Sequence, residues 1–230
     1  EYGCQEIVVI QPEKRAKQKT DRRDANSLCE LLWVNRERLI AGKKAQQVRR
    51  VTIVDEQAAA HRQLTELWRK TTDARTRVIN RVHGLLAKHN LHQECPAKGI
   101  QTKRTRRWLE ELGLAPIDRL EMDQLLALWK LYDEQLEVLK EKVQKEQKQD
   151  ENAMLLTSIP GVSAFSSLAL SCRVAGGIEQ FARGSSLANF WGLTPGCRNS
   201  GENNQRLGSI TNAGSAMARR ILGHLVLHVL

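Results

Sequence analysis

The sequence predicts a mainly α protein that opens on the remainder of an α/β domain, continues into long coiled-coil helices and ends in a helical C-terminal domain. Three observations carry this. Residues 55–91 and 120–154 repeat apolar side chains every three or four positions, the helical period. Only two short β-branched runs, EIVVI (6–10) and RRVTIV (49–54), read as strands. From about residue 153 the chain turns to short apolar runs punctuated by Gly, Pro and Ser, which marks a further domain. The expected divisions are 1–54, 55–152 and 153–230.

Composition narrows the function classes. An apolar fraction of 41% over 230 residues supports a real core. Lys and Arg outnumber Asp and Glu by 36 to 26, a net charge of +10, and polyphosphate is the commonest partner such a surplus serves. The five cysteines are spread out without a CxxC pair, which argues against a disulfide framework or a zinc site, so they are expected reduced and buried. No apolar run approaches the length needed to span a bilayer and no signal peptide is visible, so no membrane partner is expected and the compartment is read as cytoplasmic.

EIVVI is an unbroken apolar run ended by Pro12, the pattern of a strand covered on both faces. With RRVTIV as its only neighbour it makes no stable sheet, so the chain is expected to begin partway through an α/β domain whose first strands lie upstream.

KTDRRDANSLCELLW (19–33) places Asp21, Asp24, Ala25, Leu28 and Leu32 on one helical face, with the carboxylates at the entrance of the stripe to be buried. Two readings stand side by side. Asp21 as N-cap and Asp24 as third helical residue would form an acidic capping box that also complements the helix dipole. Alternatively, the pair offers hard oxygen ligands to Mg²⁺ beside a phosphodiester, with further ligands from other elements.

Residues 55–91 predict one long basic helix, with Leu64, Leu67, Trp68, Ala74, Val78, Val82, Leu85 and Leu86 inward and Arg62, Arg69, Arg75, Arg77 and Arg81 over much of the remainder. Residues 120–154 predict a second, in which Leu125, Trp129, Tyr132, Leu136, Leu139 and Val143 alternate spacings of four and three, a heptad seam. Its partner is either the first helix or the same helix of another subunit, and we expect a dimer to use it. Between them, Lys103, Arg104, Arg106 and Arg107 ahead of Trp108 read as a backbone-phosphate clamp or as a solvated helix start. KEKVQKEQKQDEN (140–152), mixed in sign, reads as helix surface.

SIPGVSAFSSLAL (158–170) has the helix, Pro-Gly turn, helix layout of a helix-hairpin-helix element, whose turn around Gly161 would aim backbone N–H groups at a phosphate. An ordinary turn between packed helices has the same pattern. CRNSGENNQRLGS (197–209) is a polar, glycine-bearing loop carrying Ser200, which has no local histidine of the Ser-His-Asp kind. His224 and His228 interrupt the last apolar helix without an acidic companion and read as core or interface residues.

Taken in order, KTDRRDANSLCELL, RTRVINRVHGLL, SIPGVSAFSSLAL, FARGSSLANFWGLTP and NSGENNQRLGSITNAGSAMARRIL resemble the bacterial insertion-sequence transposases called the one-ten family, the RNA-guided bridge recombinases. The resemblance covers nearly the whole chain. It implies a RuvC-like (RNase H-like) nuclease domain with an Asp-Glu-Asp-Asp carboxylate set, a coiled-coil region that mediates assembly, and a transposase domain with a serine nucleophile. On that comparison Asp21 and Asp24 match the last two carboxylates and Ser200 the serine, while the first aspartate and the glutamate lie upstream of residue 1. Arg219 keeps a family arginine suited to phosphate; Asn212 and Ser215 depart from the lysine and asparagine common there.

The resemblance implies RNA-guided, Mg²⁺-dependent DNA recombination through a phosphoserine link, with target and donor DNA, a structured guide RNA and a homo-oligomer (dimer or tetramer) as partners and a nucleoid-associated location. With half the carboxylate set absent, this chain alone is expected to bind nucleic acid without recombining it. Two other classes stay open: a non-catalytic coiled-coil scaffold, which has no use for Asp21, Asp24 and Ser200, and a metal-dependent junction resolvase, which has no use for the serine.

Overall fold

The computed structural model describes residues 20–46, 53–174, 176–197 and 207–229. The chain divides into two compact units, 1–54 and 55–230.

In the first unit, helix α1 runs Asp21–Ile40. Its cap is one residue earlier than predicted. Thr20 has extended backbone and its hydroxyl accepts the Arg23 N–H at 3.4 Å, so Asp21 is the first helical residue and not the N-cap. Both aspartates stay in the first turn, where the positive end of the helix dipole favours them. The stripe expected to be buried is open: Leu28 and Leu32 are 51% and 59% exposed, because no second helix or strand among this unit's described residues packs on α1. Its buried residue is polar. Asn35 donates to the carbonyls of Leu31 (3.0 Å) and Gln46 (3.3 Å) and accepts from the Gln46 N–H (2.7 Å), folding the following loop back on the helix. Of the predicted strands, 6–10 and 49–52 lie outside the described residues, and Ile53 and Val54 are irregular.

The second unit is built on two long antiparallel helices, α2 (Glu56–Lys88) and α4 (Pro116–Gln147). Ion pairs His61–Glu146, Arg75–Asp133, Arg81–Glu121 and Lys88–Asp118 climb one helix while descending the other. Leu125, Trp129 and Val143 are almost completely buried in the seam, with Val82 and Leu86 of α2. Burial of such side chains contributes roughly 1.5–3 kcal/mol each. The heptad partner is therefore α2 of the same chain, which corrects the expected dimer along that seam. A second stripe on α4, Ile117, Leu120, Leu128, Leu131 and Val138, keeps helical spacing and remains exposed.

The predicted second helix also stops early. α4 ends at Gln147, and Asp150 starts α5 (Glu151–Leu156) by accepting the Ala153 N–H at 2.8 Å while holding the Ser171 hydroxyl at 2.9 Å. A carboxylate that caps a new helix ends the old one. Between α2 and α4, a 3₁₀ turn (Leu91–Glu94) leads to α3 (Lys103–Glu111), whose Leu109 closes the core with Ile100 and Met122.

Around Pro160 the chain runs from α5 through a turn with Gly161 at φ +84° into α6 (Ala164–Ser171), capped by Ser163. Leu168 of α6 shares a cluster with Val143, Ala153, Leu64 and Trp68, which packs α6 on α2, α4 and α5. The chain ends with a 3₁₀ turn (Ile178–Gln180), α7 (Gly184–Phe190), the antiparallel strands β1 (Pro195–Cys197) and β2 (Leu207–Ile210), and α8 (Ala216–Val229). Trp191, Met217, Ala218 and Ile221 pack there with Leu170. Cys172 is buried and Cys95 half-buried, but Cys29 is exposed on α1, contrary to expectation.

Candidate functional site

The segment that carries the serine is anchored by two glycines. α7 ends when Gly192 takes φ +71°, with its N–H on the Asn189 carbonyl at 2.9 Å. A Cβ at Gly192 would stand 2.5 Å from the Ala213 carbonyl oxygen, and one at Gly214 (φ +129°) would stand 2.2 Å from that of Phe190. The GLTP and TNAG motifs therefore pack backbone on backbone, which only glycine permits. The Thr211 N–H donates to the Thr194 carbonyl at 3.0 Å and Arg219 donates to the Trp191 carbonyl at 2.9 Å. This junction is the base of the β1–β2 hairpin, paired Pro195 with Ile210 and Cys197 with Leu207. Residues 198–206 join the strands and hold Ser200, which lies outside the described residues.

Asn212 and Ser215 each take a local backbone role. Asn212 sits at φ +53°, a left-handed conformation asparagine tolerates better than most residues. Ser215 accepts the Ala218 N–H at 3.2 Å and starts α8.

Asp21 and Asp24 are exposed, in the first turn of α1. They supply two hard oxygen donors, the type Mg²⁺ takes, and further ligands must complete a site. Among the described residues no group of three or more His, Cys, Asp or Glu side chains is placed to hold a metal ion.

Most of the arginines expected at phosphate are engaged within the protein. Arg62 donates to the Cys172 carbonyl (2.6 Å), Arg69 pairs with Glu66 (2.5 Å) and Asp73 (2.6 Å), Arg75 with Asp133 (2.5 Å), and Arg81 with Glu121 (2.8 Å). Arg69 holds the Glu66 carboxyl below its ordinary range through that hydrogen bond. Arg106 turns inward to Asp133 and lies 4.3 Å over the Trp129 ring. Arg77, Arg104 and Arg107 are exposed, with no ion pair among the described residues. Gly161 is exposed at its turn, His224 is exposed on α8, and the side chain of His228 lies outside the described ones.

Sequence reasoning missed a buried polar network at the joint of α2, α4 and α6. His61 lies with Nε2 3.3 Å from Glu146 and Nδ1 3.8 Å from Asp150. Arg173 donates to Thr65 (3.1 Å) and to the Ala169 carbonyl (2.8 Å). Burial pulls the Arg173 pKa down and pushes the Cys172 thiol up. The available signal was a polar residue, His61 or Thr65, on the otherwise apolar side of α2.

Comparison with known proteins bears on the same segment. Residues 153–230 match the transposase family described as IS116/IS110/IS902. The chain is also 30% identical over 215 residues to the transposase for insertion sequence element IS1111A of Coxiella burnetii (strain RSA 493 / Nine Mile phase I). That similarity covers 90% of this chain, which spans 53% of the relative. The chain belongs to the IS110-type transposase family. The glycine-locked base of the β1–β2 pair lies inside the matched segment. No helix among the described residues is long and apolar enough to cross a membrane.

Proposed function

We propose that the protein is a DNA transposase that exchanges strands through a covalent phosphoserine link at Ser200, guided by a structured RNA and dependent on Mg²⁺. The observation that carries this is the glycine-locked base of the β1–β2 hairpin. It fixes both ends of the connection holding Ser200, inside the segment that matches the transposase family.

In the proposed step the Ser200 hydroxyl oxygen attacks a DNA phosphorus, and the bond to the 3′ oxygen breaks. The serine proton passes to solvent or a base, the leaving oxygen takes up a proton as a free 3′ hydroxyl, and the 5′ phosphate stays on the serine. The 3′ hydroxyl of the exchanged strand reverses the step. Asp21 and Asp24 are assigned to hold the cation, as exposed carboxylates with no competing cap role for Asp21. Bound Mg²⁺ supplies charge stabilisation at the phosphate oxygens.

Of the arginines predicted at phosphate, Arg77, Arg104 and Arg107 face outward with no ion pair among the described residues, and the guide RNA carries the choice of sequence. The open stripe on α4 is the surface for a second copy, with the α2 seam already filled.

The test incubates protein expressed from its complete reading frame with its RNA, both DNAs and Mg²⁺, and measures covalent protein–DNA adduct. Ser200→Ala must abolish the adduct and Asp24→Ala must depress cleavage. Cleavage indifferent to Ser200→Ala would make the protein a resolvase, and no cleavage by the wild type would make it a scaffold.

A further inference from the structure

We propose that α3 forms one wall of a binding groove for an unpaired nucleotide, with its base stacked on Trp108 and its phosphate on Arg104 and Arg107. This rests on the nucleic-acid reading above and adds a site, a stacking residue and a strand state to it.

The groove is an open cavity of about 450 Å³ lined by Pro96, Lys103, Arg104, Arg107, Trp108 and Glu111. Five of the six come from α3, where positions 103, 104, 107, 108 and 111 fall on one side of the helix. Pro96 reaches the groove from the segment after the 3₁₀ turn. The volume suits a nucleobase and its sugar, a small ligand by the usual scale of pockets.

Three features separate this groove from a solvated helix start. Trp108 is half-buried and packs on the core formed by Leu109, Met122 and Leu125, so its ring is a fixed platform. A rigid aromatic face stacks any base at little entropic cost. Arg106, on the same helix, turns inward to Asp133 and Trp129, whereas Arg104 and Arg107 line the groove with no ion pair among the described residues. The cations are therefore divided between structure and groove. Last, the charge is graded: Lys103, Arg104 and Arg107 stand towards the start of α3 and Glu111 ends it. A phosphate is drawn to the basic end and repelled from Glu111, which leaves the base for the Trp108 end. A duplex keeps its bases stacked on each other, so the groove selects a single strand.

The experiment measures fluorescence anisotropy of labelled RNA and DNA single strands of about ten nucleotides, a matched strand with abasic sites at its centre, and a duplex, against the 230-residue chain. Trp108→Leu, which keeps an apolar contact with the core, is expected to weaken the base-bearing strands by roughly tenfold and to leave the abasic strand and the duplex unchanged. Arg104→Gln with Arg107→Gln touches no core residue, so it carries the test if the leucine variant melts early. It should weaken base-bearing and abasic single strands alike and reduce the salt slope by about 1.4. Equal binding of base-bearing and abasic strands by the wild type overturns the stacking site while leaving the nucleic-acid reading intact. Absence of binding to every probe overturns both.

Discussion

Gly192 backs onto Ala213 so closely that a Cβ at position 192 would lie 2.5 Å from the Ala213 carbonyl oxygen and 2.6 Å from its nitrogen. Both contacts are backbone, so neither can swing aside. Gly192→Ala and Gly214→Ala should each release the hairpin, because a side chain there adds a clash to a left-handed strain of about 1–3 kcal/mol. Hydrogen exchange is the measure: amides of Thr211 and of β2 should lose protection while those of α2 and α4 keep it.

Asp133 on α4 accepts Arg75 of α2 and Arg106 of α3. Asp133→Asn should leave two partly buried guanidinium groups short of a charged acceptor and cost about 1–3 kcal/mol. Trp129→Ala should cost more, about 3–5 kcal/mol, since its indole is almost wholly buried. Urea melts of both variants give the order. A smaller loss for Trp129→Ala would remove the α2–α4 seam as the main core.

The acid limb of stability follows two carboxylates. Lys88 holds Asp118 below the ordinary carboxylate range, with help from His89, and Lys142 does the same for Glu146 with help from His61. Because both pKa values are depressed in the folded state, their contribution is present at neutral pH. It is lost as pH falls from about 4.5 through the folded values. Asp118→Asn and Glu146→Gln should each flatten the melting temperature against pH in that window.

Thiol reactivity should follow exposure. Cys29 is open on α1, whereas burial raises the Cys172 thiol and removes it from reagent. Timed alkylation with peptide mapping should find Cys29 modified before Cys95, and Cys95 before Cys172, under native conditions.

The open stripe of α4 gives a further expectation. Leu128→Glu with Leu131→Glu changes two exposed positions and should leave melting unaltered while shifting sedimentation towards the monomer. Unchanged sedimentation of a wild-type oligomer would move the interface elsewhere.

Periodicity carried the sequence a long way in the second unit. α2 and α4 were legible because leucines and the buried tryptophan recur at helical spacing whatever they pack against. The partner of the α4 seam was not, since a heptad looks the same to a helix of its own chain and to one of another. Helix starts were blurred by competing caps, with Thr20 taking the role assigned to Asp21, and Asp150 stopping a helix whose pattern ran on to Met154. Arg75 and Arg81 of α2 read as phosphate-facing because the acids that hold them, Asp133 and Glu121, are distant in sequence. At the candidate site the motifs GLTP and TNAG stood out. That Gly192 and Gly214 lock those motifs together is a matter of backbone distance, which one sequence does not show.

The central proposal is that the Ser200 hydroxyl oxygen takes the DNA phosphate. Protein from the complete reading frame, trapped during strand exchange with its RNA, both DNAs and Mg²⁺, digested and mapped by mass spectrometry, decides it. The account predicts one nucleotide-bearing peptide, from residues 198–206, with the added mass on Ser200. A covalent adduct on any other residue, or strand exchange that proceeds in Ser200→Ala, would contradict it.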